Sequence, residues 1–189
     1  MAKECDFLFV GPQGAGKTTI YERLLGNNIP EEYKATQNND TVKRTGWFGW
    51  GLIGGPILAD LGGIEQQINV YKDWLPLAKH VLFVFDGNEF IKELLNYQES
   101  GKISAMLKHD VFRKASKKIL NISFIATHAD EYEGNTSMKE EIIQGLNIAN
   151  EEYKKIANAD RYDFTSLFYG RLYCIDAIHD DVDFIKKLN

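Results

Sequence analysis

The sequence predicts an α/β protein in which helices cover both faces of a mainly parallel central sheet. Apolar runs of strand length alternate with longer segments of helical periodicity. A glycine-rich motif also joins the first predicted strand to the first predicted helix. Alternating strands and helices are connected by right-handed crossovers, which place helices on both faces of a parallel sheet. Ligands of such folds bind at the carboxyl ends of the strands.

The composition is that of an ordinary globular protein. Its 189 residues suit a single domain over 1–189, with 44% hydrophobic and 26% charged residues. The formal net charge of −5 does not favour nucleic acid as a partner. Cys5 and Cys174 lie far apart and offer neither a disulfide framework nor metal-ligand spacing, so we expect a cytoplasmic protein.

No targeting or membrane segment is expected. The first residues do not form a signal peptide, Ala2 is not the glycine of a myristoylation signal, and the last four residues contain no prenylation cysteine. No apolar stretch approaches the roughly 18 residues of a membrane-spanning helix. A membrane role would therefore need a partner that provides peripheral association, a segment missing from this sequence or another lipidation route.

The predicted elements follow from the periodicity of apolar residues. Strands are predicted at Asp6–Val10, Pro56–Asp60, Val81–Asp86, Ile119–Ala126 and Leu172–Ile175. Helices are predicted at Thr18–Leu25, Gln66–Leu77, Glu89–Leu95, Ala105–Ser116 and Met138–Ala157. An edge strand is predicted to begin near Thr41, before an aromatic and glycine-rich hairpin at Trp47–Gly55.

The first helix illustrates how the local signals agree. Ile20 and Leu24 are four positions apart, as are Tyr21 and Leu25, which predicts one buried stripe. Gly26 follows as a helix stop.

The motif before this helix predicts a P-loop nucleoside triphosphatase. The segment from Gly11 to Thr18, Gly-Pro-Gln-Gly-Ala-Gly-Lys-Thr, fits G-x-x-x-x-G-K-[ST] in full. Its backbone amides and the helix N-terminus would surround phosphate oxygens, Lys17 would reach the β- and γ-phosphates, and the Thr18 hydroxyl would bind Mg²⁺. The expected nucleotide contacts of this region are Gly11, Gln13, Gly14, Ala15, Gly16, Lys17, Thr18 and Thr19.

Two further segments resemble the switches of Ras-like small GTPases. Thr36, nineteen positions after Lys17, matches the first-switch threonine that binds Mg²⁺ and senses the γ-phosphate; Thr41 is the alternative ligand. Asp60-Leu61-Gly62-Gly63 resembles the D-x-x-G second switch in its Arf-type D-x-G-G form. This resemblance implies that Asp60 holds a water of the Mg²⁺ shell and that the Gly63 amide approaches the γ-phosphate. The implied metal set is Thr18, Thr36 and Asp60.

Two segments resemble the guanine-binding motifs of the same superfamily. Thr127-His128-Ala129-Asp130 resembles [NT]-K-x-D, in which a carboxylate accepts hydrogen bonds from guanine N1–H and N2–H₂. His128 replaces the usual lysine, and an imidazole can stack on the base but is a weaker tether, so lower affinity is predicted. Cys174-Ile175-Asp176-Ala177 could play the S-A-K part, with Asp176 and Ala177 contacting the nucleotide and the Ala177 amide facing guanine O6.

The resemblance extends over nearly the whole chain. Val81–Glu89 also looks like the strand and turn that follow the second switch in Arf-type proteins. Together these motifs imply a G domain that holds GTP or GDP with Mg²⁺, closest to the Arf-type and signal recognition particle receptor β-like branch.

One departure bears on catalysis. Ile64 occupies the position where Ras-like proteins usually carry the water-orienting glutamine, so we expect slow hydrolysis. Gln13, Glu65, Gln66 or a partner protein could orient the water instead. The candidate catalytic residues are therefore Lys17, Gln13 and Gln66.

The sequence leaves more than one function open. A slow GTPase switch acting on a protein partner is the main interpretation, and a constitutively nucleotide-bound interaction module is the alternative. A P-loop kinase or ATPase is disfavoured by Asp130. The aromatic hairpin at Trp47–Gly55 is either packed under the sheet edge or exposed as a partner-binding patch.

Overall fold

The structure is a computed structural model that describes residues 5–27, 41–44, 57–60, 75–95, 122–157 and 171–188. The strands of this part are β1 (Cys5–Val10), β2 (Thr41–Arg44), β3 (Ile57–Asp60), β4 (Ala78–Asp86), β5 (Ile122–Thr127) and β6 (Leu172–Cys174). Its α-helices are α1 (Lys17–Leu24), α2 (Gly87–Leu95) and α3 (Met138–Ala157). Short 3₁₀ helices cover Leu75–Leu77, Ala129–Glu131 and Asp183–Lys187.

The strands form one sheet in the order β2-β3-β1-β4-β5-β6. β1 pairs in parallel with β3 and β4, and β5 pairs in parallel with β4 and β6. β2 pairs antiparallel with β3, and it begins at Thr41 as predicted. The predicted mainly parallel α/β sheet is therefore confirmed.

The two faces of the sheet bury different helices. Along β1, Phe7 and Phe9 pack with residues of α1, whereas Leu8 and Val10 pack with residues of α2 and α3. β4 is buried without interruption from His80 to Phe85. Strands that are buried on both faces read as continuous apolar runs, so both faces need a covering layer. Helices on both faces, as predicted, supply it.

Helix α1 has the buried stripe and the stop that its sequence predicts. Ile20, Tyr21 and Leu24 are buried. Gly26 has a φ of +76° and its amide donates to the Arg23 carbonyl, while the next amide, of Asn27, donates to the Glu22 carbonyl. These two bonds form a Schellman motif, which ends the helix where the left-handed glycine stands.

The other two helices begin at side-chain caps. Asp86 Oδ1 accepts a hydrogen bond from the Glu89 amide at 3.0 Å, so α2 starts two residues before the prediction. Ser137 and Glu140 form a capping box, in which the bonds from the Ser137 amide and hydroxyl lower the pKa of the Glu140 carboxyl. Helix α3 has its predicted bounds.

Within the described ranges, no helix combines the length and apolarity needed to cross a bilayer.

The predicted α-helix Gln66–Leu77 is wrong in its last three residues, which are the part of it that the structure describes. Leu75–Leu77, the end of the predicted Gln66–Leu77 helix, is a 3₁₀ turn, and β4 follows it directly. Pro76 lacks the amide hydrogen that an α-helix would need at this point. The predicted helix Ala105–Ser116 and the hairpin Trp47–Gly55 lie outside the described residues.

A buried histidine at the start of β4 should make folding depend on pH. His80 is 8% exposed and its Nε2 lies 3.0 Å from Ser123 Oγ. Burial, helped by the charge of Arg171, lowers the pKa of His80 to about 4. The unfolded chain, with a histidine pKa of about 6.5, therefore binds the proton first, and stability is lost as the pH falls from about 6.5 to about 4. The full loss below that range is about 3 kcal/mol.

Urea unfolding at pH 7.5 and pH 5 measures this effect. We expect the His80→Leu variant to lose most of the stability difference between the two pH values. Ser123→Ala is the matched control, because it removes the partner but keeps the buried ring and hence the pH dependence. The same pH dependence in wild type and His80→Leu would contradict the prediction.

Candidate functional site

Three loops meet at the carboxyl ends of the parallel strands. The phosphate loop, Gly11–Gly16, follows β1 and leads into α1. The β5 loop, His128–Glu131, follows β5, and the β6 loop, Ile175–Asp180, follows β6. This is the edge at which α/β sheets bind ligands.

The phosphate loop follows a path that only glycine accommodates. Gly11, Gly14 and Gly16 have φ values of +140°, +82° and +77°. A Cβ on Gly11 would lie 1.9 Å from the carbonyl oxygen of Val84, so the loop crosses close against β4. Glycine at these positions is therefore required by conformation and, at Gly11, also by space.

Lys17 places a positive charge inside this loop. Its side chain is 6% exposed, and Nζ donates hydrogen bonds to the carbonyl oxygens of Gly11 at 3.0 Å and Pro12 at 2.7 Å. The first turn of α1 contains no acidic residue, and its N-cap, Gly16, offers no side-chain oxygen. The positive end of the helix dipole and a buried ammonium thus coincide, which suits an anion.

Thr127, the last residue of β5 before the β5 loop, forms a hydrogen bond to the phosphate loop. It is fully buried, and its hydroxyl lies 3.2 Å from the Ala15 carbonyl oxygen and 3.1 Å from that of Phe85. A Cβ on Gly16 would stand 3.4 Å from the Thr127 methyl group, which is ordinary contact. Thr127 therefore acts as a tether between two loops, and its direct contact with a nucleotide stays a prediction.

His128 is the one described non-glycine residue with a positive φ, at φ 60° and ψ 35°. Asn88 Nδ2 donates to its carbonyl oxygen at 3.0 Å. Its half-exposed ring lies between two carboxylates, with Nε2 3.8 Å from Asp86 Oδ2 and Nδ1 3.5 Å from Glu131 Oε1. Asp86 and Asn88 were not predicted as site residues, although both lie where β4 ends at the same edge. Asp130, two residues further along the same loop, is exposed.

The β6 loop satisfies nearly all of its amides by itself. The Asp176 amide donates to Asp180 Oδ2, the Ile178 amide to Asp176 Oδ1, and the Asp180 amide to the Asp176 carbonyl. The amide and the ring of His179 also bond to the Asp176 carboxylate. Burial alone would raise the pKa of this carboxyl, but the bonds from Ile178 and His179 outweigh it and lower the pKa. Asp176 therefore organises the loop, and its direct contact with a nucleotide stays a prediction.

Ala177 carries the remaining amide of this loop. The residue is 8% exposed, and no described residue accepts a hydrogen bond from its N–H. Its methyl group would be 3.5 Å from a Cβ on Gly16, so it lies against the phosphate loop. Buried amides nearly always have an acceptor. An acceptor atom of a ligand held at the phosphate loop would satisfy this one.

Contacts from other elements hold the β6 loop in place, beginning with the Ile175 amide, which donates to the Ala126 carbonyl of β5 at 2.9 Å. The Ala129 amide donates to the Ile175 carbonyl at 3.3 Å, which joins it to the β5 loop. Arg23 Nη1 donates to the Ala177 carbonyl at 2.9 Å, which joins it to α1. Arg23 was also missed, because its 154-residue separation from Ala177 leaves no local signal.

Oxygen-bearing residues suited to Mg²⁺ stand at the same edge. Thr18 and Thr19 are half-buried in the first turn of α1. Asp60 ends β3, where it pairs with Phe9 of β1 on one side and with Thr41 on the other. Hydroxyl and carboxylate oxygens are the ligands that Mg²⁺ prefers. The other predicted residues, Thr36, Gly63, Ile64, Glu65 and Gln66, lie outside the described residues.

Known proteins resemble the chain in sequence and in fold. It is 27% identical over 137 residues to the NF-kappa-B inhibitor-interacting Ras-like protein 2 of Xenopus laevis, spanning 69% of this chain and 76% of that protein. No protein-family model matches the chain.

Two solved structures share the fold. The mammalian SRP receptor matches with a TM-score of 0.61 and 17% identity, over 96% of each chain. The Arl6 BBS3 small GTPase from Trypanosoma brucei, solved with the nucleotide analogue GppNp, matches with a TM-score of 0.53 and 16% identity, over 97% of this chain and 92% of that one. The predicted α/β P-loop fold is therefore confirmed.

Proposed function

We propose that this chain, whose fold is that of a Ras-like, Arf-type G domain, binds GTP and GDP with Mg²⁺ and hydrolyses GTP slowly. It would act as a nucleotide-controlled switch toward a protein partner in the cytoplasm. The observation that carries the proposal is the junction of three loops. There the Lys17 ammonium is buried in the phosphate loop, and Ala177, whose amide has no acceptor among the described residues, lies against Gly16. One end of this junction suits phosphates and the other suits a base.

The phosphate end has the charge and the shape that a nucleotide requires. Lys17 is already held by two carbonyls of the loop, so its ammonium needs little reorganisation to meet the β- and γ-phosphates. The open start of α1 offers backbone amides in the same place.

The base end offers groups that match guanine better than adenine. The exposed Asp130 carboxylate can accept hydrogen bonds from guanine N1–H and N2–H₂. The Ala177 amide can donate to guanine O6. Adenine carries a donor in place of O6 and lacks N1–H, so both protein groups would stay unpaired, which is strongly unfavourable.

Mg²⁺ would be held by Thr18 together with Thr36 and Asp60. The ion would offset the charge that develops on the phosphate oxygens during transfer. Gln13 is exposed in the phosphate loop and is a candidate for orienting the attacking water, as is Gln66. Ile64 offers no hydrogen bond, which supports a low intrinsic rate.

The alternative is a module that stays bound to nucleotide without turnover. Ile64 favours it, as does the His128 ring, which lies between Asp86 and Glu131 where the resemblance implies a lysine. Turnover measured at saturating GTP separates the two proposals, because only the switch releases phosphate repeatedly.

Calorimetry with GDP and with ADP, in the presence of Mg²⁺, tests the proposal. We expect GDP to bind about a hundredfold or more tightly than ADP, because two sets of base contacts would be lost with adenine. An Asp130→Ala variant should lose most of this preference without unfolding, since Asp130 is exposed. Equal affinity for GDP and ADP in the wild type would overturn the assignment.

A further inference from the structure

We infer that Arg23 is a positioning residue for base recognition, because it sets the orientation of the backbone around Ala177. The inference rests on the proposed function, in which the Ala177 amide donates to the base. Arg23 lies in α1 rather than in either loop that would contact the base. Its guanidinium nevertheless bonds to the Ala177 carbonyl at 2.9 Å.

Both peptide planes that flank Ala177 are held by hydrogen bonds. In the plane before it, the Asp176 carbonyl accepts from the Asp180 amide at 3.1 Å. In the plane after it, the Ile178 amide donates to Asp176 Oδ1 at 2.7 Å and the Ala177 carbonyl accepts from Arg23. Because peptide units are planar, the bond from Asp180 orients the Ala177 N–H within the loop. The bond from Arg23 fixes the following plane relative to α1, so the N–H is positioned relative to the helix only when both bonds are present.

Of these bonds, Arg23 supplies the one that comes from outside the loop. The others connect residues of the β6 loop to one another, so they set its internal shape and not its position. Arg23 follows Lys17 by six residues on the same helix, roughly 9 Å along its axis. The helix that carries the phosphate-binding lysine thus also fixes the loop that would meet the base. An arginine suits this task, since its guanidinium is always charged and directs its donors rigidly.

The experiment compares three nucleotides whose bases differ in O6, in the hydrogen on N1 and in the 2-amino group. GDP and inosine diphosphate both carry O6, whereas 2-aminopurine riboside diphosphate lacks it and keeps the 2-amino group. If Arg23 acts through the Ala177 amide, Arg23→Met should weaken GDP and inosine diphosphate about tenfold and the 2-aminopurine nucleotide less than twofold. Calorimetry or nucleotide competition measures all three affinities.

Lys92→Met is the matched control, because Lys92 is exposed and is likewise the basic residue in the last turn of its helix. We expect it to leave all three affinities unchanged. Arg23→Lys is the second variant, to be used if the methionine variant folds poorly. It keeps the positive charge but not the planar guanidinium, so we expect a smaller loss of nucleotide affinity with the same dependence on O6.

Equal weakening of all three nucleotides by Arg23→Met would overturn the inference, since it would indicate a merely structural role. No weakening of any of them would overturn it as well. Failure of the proposed function would give a different result from failure of this inference. The wild-type protein would then bind GDP no more tightly than the 2-aminopurine nucleotide.

Discussion

Replacing Lys17 by methionine is expected to lower the affinity for GDP about a hundredfold or more while the protein remains folded. The ammonium is buried, and its hydrogen bonds to the Gly11 and Pro12 carbonyls hold it over the loop that would surround the phosphates. Charge-assisted hydrogen bonds contribute about 1.5–3 kcal/mol each, so losing two of them to phosphate oxygens accounts for the hundredfold.

The same substitution should cost far less in folding. Methionine keeps most of the aliphatic stem and removes a buried charge, which offsets part of the roughly 1–3 kcal/mol that each loop carbonyl costs when it loses its partner. Calorimetry with GDP and urea unfolding of the nucleotide-depleted protein measure the two effects separately. Lys92→Met, on exposed α2 surface, serves as the control for removing one charge. A Lys17→Met protein that binds GDP within threefold of wild type would refute this view of the site.

Replacing Gly11 by alanine should have the largest effect on the fold. The added Cβ would lie 1.9 Å from the Val84 carbonyl oxygen, an atom of the β4 backbone that cannot rotate away. The φ of +140° adds strain for any residue with a Cβ. Because the loop and the central strand must separate, we expect a loss of about 4 kcal/mol or more in the free energy of unfolding.

Two other glycines serve as controls that distinguish the effect of the steric clash on stability from that of the backbone strain. Gly26→Ala and Gly14→Ala share the positive φ, but a Cβ on either meets nothing within 4 Å. Each should therefore cost only about 1 kcal/mol in urea unfolding. If Gly11→Ala proved no more destabilising than these two, the close approach of the loop to β4 would not be a real constraint.

Much of this architecture could be predicted because its signals are local. Apolar runs predicted β1, β3, β4, β5 and β6. Of these, β1, β4 and β5 are buried along most of their length, and a strand buried on both faces needs an unbroken apolar sequence. The stripe of α1 and the left-handed Gly26 that ends it involve neighbours within one helix turn or two. Where local signals were misread, the cause was also local: Pro76 lies in a 3₁₀ turn where the α-helix was predicted to continue, and Asp86 caps α2 earlier than expected.

The sequence by itself determined the phosphate loop, because its glycines, lysine and threonine act through the backbone and through neighbours a few residues away. The sequence could not show which residues form the hydrogen bonds that connect the three loops. The Thr127 bond to Ala15 spans 112 residues and the Arg23 bond to Ala177 spans 154. Such pairs meet only after the parallel strands bring their carboxyl ends to one edge. Only the tertiary structure therefore shows which amide of the β6 loop has no acceptor among the described residues, and which side chains hold the loop in place.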